Sequence, residues 1–216
     1  MWKEWKKGFQ LIKYSYNFKA NIGLGIFFLV VGILMVLLGP NSFLFGATYG
    51  YLGSIMVLQL SYSLLFSQMV MASPKKRFID IDFADFFSIA SAVCSYLFFS
   101  VFAAIRTYLS PEEKGEYCGM LIVLGVLMVV CMIYYSVCYK TFVVASVIFA
   151  ICFALSYAIG MSFAGRGSTL SLPVSTIIGL AIVFCGGLIA NLIRKCYYRK
   201  SISTLAMGAV LRKAMK

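Results

Sequence analysis

One polar stretch, residues 73–85 (SPKKRFIDIDFAD), holds most of the side chains that could do chemistry. Three consecutive cations are followed by the carboxylates of Asp80, Asp82 and Asp85. A catalytic aspartate pair in a membrane protein would need both acids deep within apolar segments. Asp82 and Asp85 instead lie where a helix is predicted to begin, and carboxylates there complement the positive end of the helix dipole. The stretch therefore predicts a helix start and a binding surface, not a catalytic pair.

Residue types that several common catalytic sites need are missing from the sequence. There is no histidine, which excludes Ser-His-Asp triads, HExxH zinc sites and histidine-ligated haem. The nearest match to a phosphate-binding P-loop, residues 160–167, has neither the lysine nor the hydroxyl residue that the motif requires. The seven cysteines form no CxxC pair and are predicted to be small buried hydrophobic residues. We therefore predict no catalytic residue, no metal site and no cofactor in this chain.

The composition is typical of a helical membrane protein. Hydrophobic residues make up 62% of the chain and charged residues 12%, whereas soluble domains contain about 45–50% and about 25%. The net charge of +12 comes from cations at the ends of apolar runs, which favours anionic lipid headgroups over nucleic acid as partners. No charged residue is predicted deep within a run, which disfavours ion-coupled transport. The predicted fold class is all-α and polytopic, and residues 1–20 do not resemble a cleavable signal peptide.

Six membrane-spanning helices are predicted within residues 21–193, because a span needs about 20 apolar residues. A GPN turn separates the first two spans. The charged break at Tyr139, Lys140 and Thr141 divides one long apolar run into the fourth and fifth spans. The predicted spans are residues 21–38, 43–71, 83–109, the two parts of 118–163, and 173–193.

Positive charge sets the predicted orientation. If residues 73–85 face the cytoplasm, every lysine and arginine except Arg106, Lys114 and Arg166 lies on that side, as the positive-inside rule requires. Both termini are then cytoplasmic, and the glutamate-rich residues 110–117 are outside. Arg106 lies near the outer end of its span, where its side chain can reach the headgroups. We predict a multi-pass protein of the plasma membrane.

Two periodic patterns indicate helix surfaces. Aromatic and apolar residues at spacings of three and four form a stripe along residues 1–20, with lysines beside it. This is typical of an amphipathic helix lying in the membrane interface, and a disordered basic tail is the alternative. Small residues at four-residue spacing in the second span would let helices approach closely. Residues 194–216 form a basic cytoplasmic tail. The interfacial stripe comprises Trp2, Trp5, Phe9, Ile12 and Tyr16, and the small-residue face comprises Gly46, Gly50 and Ser54.

The order of these parts resembles the membrane-spanning subunit of type-2 ABC exporters. A basic amphipathic helix comes first, a long second span ends in an S-P-basic-basic loop, and four more spans follow. The chain is most similar to the short six-span subunits of bacterial peptide exporters, including those that export phenol-soluble modulins. The resemblance covers the whole chain as architecture and residues 72–82 as a motif. It departs from the family between spans five and six, where about a dozen residues stand in place of re-entrant helices.

The resemblance implies a transmembrane subunit that moves amphipathic or antimicrobial peptides, or other hydrophobic substrates, out of a bacterial cell. ATP and Mg would bind to a separate ABC ATPase subunit, so the chain itself would not be an enzyme. A second membrane subunit, identical or paralogous, would form a dimer with it, partly through the small-residue face. The N-terminal helix and the loop between spans two and three would contact the ATPase. The residues of that coupling loop are Pro74, Lys75, Lys76, Arg77, Phe78, Ile79, Asp80 and Asp82.

Two other functions stay open at this point. A small-molecule uptake subunit would have polar side chains converging in an outward-facing pocket, and an assembly protein would have no transport role. Residues 74–82 would then be a solvated loop that only determines topology. If an ATPase does bind there, Phe78 is the predicted anchor, because burying an apolar side chain in a cleft contributes about 1.5–3 kcal/mol.

Overall fold

The computed structural model describes residues 6, 10, 12, 13, 15, 18–65, 76–164 and 168–205. In these ranges the protein is all-α and contains six long helices. A π-helical turn, Phe78–Phe83, leads directly into the third helix, and a 3₁₀ turn, Pro111–Glu113, precedes the fourth. The helices are α1 (Phe18–Leu38), α2 (Pro40–Leu65), α3 (Ala84–Leu109), α4 (Lys114–Val137), α5 (Phe142–Ala164) and α6 (Leu172–Tyr197).

The turn between α1 and α2 follows from its sequence. Gly39 has a φ of 141°, a backbone conformation that residues with a side chain rarely adopt. Pro40 follows at the first position of α2, where its missing N–H costs no helical hydrogen bond. The Ser42 hydroxyl donates to the carbonyl of Met35 (2.8 Å), and the Arg106 guanidinium donates to that of Leu37. Arg106, which the sequence predicts to reach the headgroups, therefore caps the end of α1.

Glycines bring α1 and α2 into close contact along their length. A Cβ atom on Gly32 would lie 2.5 Å from the backbone nitrogen of Gly50, and one on Gly46 would lie 2.7 Å from the carbonyl oxygen of Gly32. The hydroxyl of Ser54 lies 3.4 Å from that of Ser95 on α3. The small-residue face of α2 is thus covered by helices of the same chain. The expectation that a second subunit contacts this face needs correction, since no room is left there for another helix.

α4 lies at the centre of the bundle and packs against α2, α3, α5 and α6. Much of its surface is buried, including the large side chains of Tyr117, Met120 and Met128. α6 crosses α4 where a Cβ atom on Gly125 would lie 2.9 Å from the carbonyl oxygen of Gly179. By contrast, α1 packs mainly on α2, and α5 packs mainly on α4. The core therefore lies among α2, α3, α4 and α6, with α1 and α5 at the periphery.

The outer surface is apolar and fits a membrane. Five helices in the described ranges are long and apolar enough to cross a bilayer: α1, α3 with its π turn, α4 with its 3₁₀ turn, α5 and α6. Large apolar side chains such as Leu34 on α1 and Val144 on α5 are more than half exposed. In water such surfaces would promote aggregation, whereas lipid tails are as apolar as leucine. The chain is a multi-pass membrane protein.

The two ends of the bundle differ in charge. At the acidic end lie Glu112, Glu113 and Glu116, and at the basic end lie Lys140 and Lys200. The break between α4 and α5 is at residues 138–141, as the sequence predicts. Several helix boundaries differ from the prediction by three residues or more, and two of them bear on the polar contacts described below. The segment that leads into α3 is already helical at residue 76, and α6 continues to residue 197, because buried polar contacts hold both extensions in place.

Candidate functional site: two ion pairs buried at the basic end

Arg194 is completely buried inside the bundle, although the sequence assigns it to a solvated tail. Arg194 lies on α6 one helical turn after Ala190. It is on the buried face of that helix, which packs against α3 and α4 and also contains Gly179, Val183 and Gly187. Its Nη1 atom lies 2.5 Å from Oδ1 of Asp85 on α3. Asp85 lies in the first turn of α3 and Arg194 in the last turn of α6, so both charges are at helix ends, as the sequence predicts. Both are buried in the bundle and not solvated.

Further polar groups complete the surroundings of this first pair. Nη2 of Arg194 donates to the hydroxyl oxygens of Tyr62 (3.1 Å) and Ser136 (3.4 Å). The amide of Asn191, oriented with its nitrogen toward the carboxylate, donates to Oδ1 of Asp85 at 3.0 Å. Because a buried charge is costly unless it is paired and hydrogen-bonded, these contacts explain why the helices accommodate it.

A second pair, Lys140 and Asp80, lies beside the first. Both side chains are buried, and Nζ of Lys140 lies 3.7 Å from Oδ2 of Asp80. The Tyr139 hydroxyl donates to Oδ1 of Asp80 at 2.5 Å. Nζ of Lys140 also donates to the carbonyl oxygens of Tyr198 (3.2 Å) and Lys200 (2.9 Å), beyond the end of α6. This pair therefore joins the π turn before α3, the turn after α4 and the segment after α6.

Tyr62 on α2 connects the two pairs. Its ring stacks on that of Tyr139 at a centroid distance of 4.6 Å, and its hydroxyl donates to the carbonyl oxygen of Tyr135 at 2.7 Å. The same hydroxyl accepts the hydrogen bond from Arg194. Four helices, α2, α3, α4 and α6, are thus held together at the basic end by two polar clusters that meet where the rings of Tyr62 and Tyr139 stack.

The pKa values of Lys140 and Tyr139 are shifted by burial and by the neighbouring carboxylate of Asp80. Burial lowers the pKa of the Lys140 ammonium from its ordinary value, and the Asp80 carboxylate opposes this effect. Burial and the same carboxylate raise the pKa of the Tyr139 phenol. The hydroxyl therefore stays protonated and donates a hydrogen bond to Asp80. Each cation faces one carboxylate, so the network carries no excess charge. Such an arrangement is suited to holding helices together, not to proton transfer.

The described residues contain no group of three or more His, Cys, Asp or Glu side chains that could hold a metal ion. No family model, curated protein or solved structure matches the chain significantly. The resemblance to exporter subunits stays a prediction from the sequence.

The structure places the predicted coupling residues in two different environments. Arg77 and Asp82 are exposed and Lys76 is half-buried. Ile79 and Asp80 are buried, at 4% and 1% exposure. Phe78 is half-buried, and its ring lies 6.3 Å from that of Phe83. Pro74 and Lys75 lie outside the described residues. The predicted loop is therefore helical from residue 76 onward, and its apolar side chains mostly face the protein itself.

Of the predicted interfacial stripe, only Ile12 belongs to the described residues; Trp2, Trp5, Phe9 and Tyr16 lie outside them. Ile12 is buried in a small apolar cluster with Leu60 and Phe83, against which Phe18 and Ile22 of α1 pack. This residue therefore packs against the helical bundle. The position of the remaining stripe is still a prediction.

A sequence signal for the buried pairs did exist. On α3, Asp85 continues a buried stripe through Ser88, Ala92 and Tyr96, at spacings of three and four. On α6, Arg194 extends a similar stripe that contains Gly186 and Ala190. A charged residue in register with a buried stripe predicts an internal ion pair, whereas hydropathy alone places the same residue in solvent.

Proposed function

We propose that the chain is the membrane-spanning subunit of an ATP-driven exporter of the type-2 ABC class, with ATP hydrolysed on a separate subunit. In this proposal the protein crosses the plasma membrane six times, with the basic end in the cytoplasm and the acidic end outside. Residues 1–20 and 206–216 then lie on the cytoplasmic side. The proposal rests mainly on how the segment before α3 is attached to the bundle.

The π turn Phe78–Phe83 is attached to several helices at once. Asp80 binds Tyr139 and Lys140 beyond the end of α4, and Asp85 binds Arg194 on α6. The turn also continues into α3 without a break. A partner that pushes on this segment would move α3 directly, and α4 and α6 through the ion pairs. Such an attachment supports a role in transmitting motion from an ATPase into the membrane.

The side chains that would meet the ATPase are charged. Arg77 and Asp82 are exposed on this segment, whereas Phe78 is half-buried and packs within the chain. We therefore move the proposed contact from Phe78 to Arg77 and Asp82. Charges of both signs on one short segment favour a defined orientation against a partner, because mismatched charges are repelled.

An aromatic crevice supports an apolar or amphipathic substrate. It lies between α1 and α2 on one side and α4 and α5 on the other, and its volume is about 400 Å³. Flat aromatic rings can contact the apolar face of an amphipathic peptide over a large area. The crevice is lined by Phe28, Phe45, Thr48, Tyr49, Leu52, Met56, Tyr134, Tyr135, Phe149 and Phe153.

A second membrane subunit, if it is present, would have to contact surfaces other than the small-residue face of α2. The exposed apolar faces of α1 and α5 leave the most room for it, because each of these helices packs mainly on one neighbour. Phe27 on α1 and Ile151 on α5, both more than half exposed, are examples of side chains that such a contact would cover.

One observation favours the alternative of a small-molecule uptake subunit. A cavity of about 630 Å³ lies between α4 and α5 toward the acidic end, within the size range of ligand pockets. The side chains of Ser156, Ser168 and Thr169 bring hydroxyl groups to its wall. Three hydroxyls in a mainly apolar wall are few for recognition of a polar solute, so export is the function that we favour.

The decisive experiment is purification of the tagged chain from its native cells in mild detergent. We expect an ABC ATPase to co-purify and the complex to hydrolyse ATP faster when an amphipathic helical peptide is added. The combined variant Arg77→Glu with Asp82→Lys keeps the net charge but reverses the exposed pattern. It should lose most of the bound ATPase and of the peptide-stimulated hydrolysis.

The matched control is Lys114→Glu, which reverses an exposed charge at the acidic end. This variant should retain the ATPase at the wild-type level. If the preparation purified with the wild-type chain hydrolyses no ATP, the exporter proposal is contradicted. Equal ATPase binding by the two variants would remove the coupling role of the segment before α3.

A further inference from the structure

A narrow apolar crevice opens between α4, α5 and α6 at the basic end of the bundle. Its volume is about 270 Å³. The walls include Val137, Ile148 and Phe149, and Cys152 is the cysteine that faces it. It shares Tyr134 and Phe149 with the aromatic crevice beside α2, and the buried ion pairs are not part of its lining.

The depth of the crevice matches one leaflet of a bilayer. Its lining on α5 runs from the level of Thr141 to Cys152, and this separation corresponds to about 16 Å along a helix at ~1.5 Å per residue. The hydrocarbon core of a bilayer is about 30 Å thick, so one leaflet is about half of that. A groove of this depth that starts at the membrane surface fits one acyl chain lying parallel to the helices.

A cation lies beside a residue that lines the crevice at the basic end. Ile193 and Tyr197, one helical turn apart on α6, both line it. Nζ of Lys200 lies 5.3 Å from the centre of the Tyr197 ring, and Arg199 beside it is exposed. Among the described residues neither Arg199 nor Lys200 forms an ion pair, whereas the charge of Lys140 is already matched by Asp80. The ammonium of Lys200, which has no carboxylate partner in the described part of the chain, therefore lies beside Tyr197 at the edge of an acyl-sized groove, and Arg199 is its neighbour in sequence.

We propose that this crevice is a binding site for an anionic phospholipid. One acyl chain lies between α4, α5 and α6, and the phosphate of the headgroup binds the side chains of Lys200 and Arg199. Basic pockets between transmembrane helices recognise anionic headgroups in this way. The lipid would cover the exposed contact of α5 with α4 and tie α5 to the end of α6. The inference does not depend on the exporter proposal, since it needs only the chain and a membrane.

The test uses alkylation of cysteines in the purified full-length chain. Phosphatidylglycerol or phosphatidylcholine with the same acyl chains is added in a neutral detergent, and mass spectrometry follows maleimide labelling at each site. Cys152 lies in the crevice, while Cys185 is exposed on α6 outside it and serves as an internal reference. We expect phosphatidylglycerol to slow labelling of Cys152 but not of Cys185. Phosphatidylcholine should have a much smaller effect.

A charge reversal separates headgroup recognition from simple filling of the groove. Lys200→Glu should lower the apparent affinity for phosphatidylglycerol roughly fivefold or more, since each cation near an anionic surface contributes appreciably to binding. This variant leaves the bundle intact, because the carbonyl of Lys200 and not its side chain accepts the bond from Lys140. Lys114→Glu at the acidic end is the matched control and should behave like the wild type.

A second readout covers the case in which Cys152 reacts too slowly to compare. Native mass spectrometry then counts the phosphatidylglycerol molecules retained by the wild type and by Lys200→Glu, and the wild type should retain one more. Equal protection by both lipids would overturn the proposal, since any acyl chain would then suffice. Equal lipid retention by both proteins would overturn it as well.

Discussion

At the scale of single residues, the buried guanidinium of Arg194 is the most demanding feature of the protein. A charge within a membrane bundle is costly, and such residues almost always face the interior and pair with one another. Here the compensation is Asp85, supported by the hydroxyls of Tyr62 and Ser136. Breaking a buried pair from one side is strongly destabilising, because it leaves the other charge without a partner.

This cost can be measured with Arg194→Met, which keeps an unbranched side chain of similar length but removes the charge. We expect a loss of about 3–5 kcal/mol of unfolding free energy, because the carboxylate of Asp85 is left unpaired. Adding Asp85→Asn should restore much of the stability, since Asn keeps an acceptor for the Asn191 amide but carries no charge. Thermal unfolding in detergent of the two single variants and the double variant gives the coupling energy.

The control for this cycle is Lys195→Met, because Lys195 is exposed on the same helix. Its unfolding temperature should remain close to that of the wild type. If Arg194→Met unfolds at the same temperature as Lys195→Met, the internal pair with Asp85 contributes nothing to stability.

At the scale of helices, the α1–α2 hairpin shows how glycine sets the distance between two segments. The helices touch at Gly32 and Gly50 so closely that even one methyl group would meet backbone atoms. Side chains can rotate away from a new neighbour but a helix backbone cannot. Close contact between small residues replaces the hydrophobic effect as the source of helix association in a lipid environment.

Replacing Gly32 by leucine should therefore separate the hairpin. We expect a loss of about 1–3 kcal/mol or more, in the range for overpacked cores, because the neighbouring atoms belong to the backbone of α2. Gly23 on the same helix offers a matched control, since a Cβ atom there would meet nothing within 4 Å. Thermal stability in detergent and protease resistance of the two leucine variants provide the comparison. Equal behaviour would mean that α1 and α2 do not meet at Gly32.

At the scale of the whole molecule, charge and apolar surface are distributed in layers. Large apolar side chains cover the outside of α1 and α5, while glutamates and lysines collect at opposite ends. The break between α4 and α5 and the turn at Gly39 place successive helices antiparallel. The orientation of this layered body in a membrane follows from the positive-inside rule and predicts the basic end in the cytoplasm.

Labelling of single cysteines in intact cells tests this orientation. In a background without the exposed native cysteines, Glu113→Cys and Ser168→Cys should react with a membrane-impermeant maleimide from outside. Lys76→Cys and Lys200→Cys should react only after the cells are opened. Ser168 is held near the start of α4 by its N–H bond to the carbonyl of Gly115 (2.9 Å), so both outer probes report on one end. Labelling of Lys76→Cys from outside would reverse the proposed orientation.

Hydropathy and spacing along the sequence were enough to predict an all-α, multi-pass protein and the break at Tyr139, Lys140 and Thr141. These features depend on local quantities, the length of an apolar run and the position of a charged residue or a Gly-Pro pair. The same information predicted that Gly46 and Gly50 pack closely against another helix. It did not say which helix, because a small-residue pattern reports a close approach and not the identity of the partner.

The tertiary structure alone decided which charges are inside. Lys140 and Arg194 look like ordinary cations at the ends of spans, yet both are buried against Asp80 and Asp85. Their partners lie 60 and 109 residues away along the chain. Each of these cations can be buried only because a carboxylate distant in sequence lies next to it. That proximity depends on how α3, α4 and α6 pack together. Local sequence carries the stripe on each helix, and only the packed bundle brings the stripes into contact.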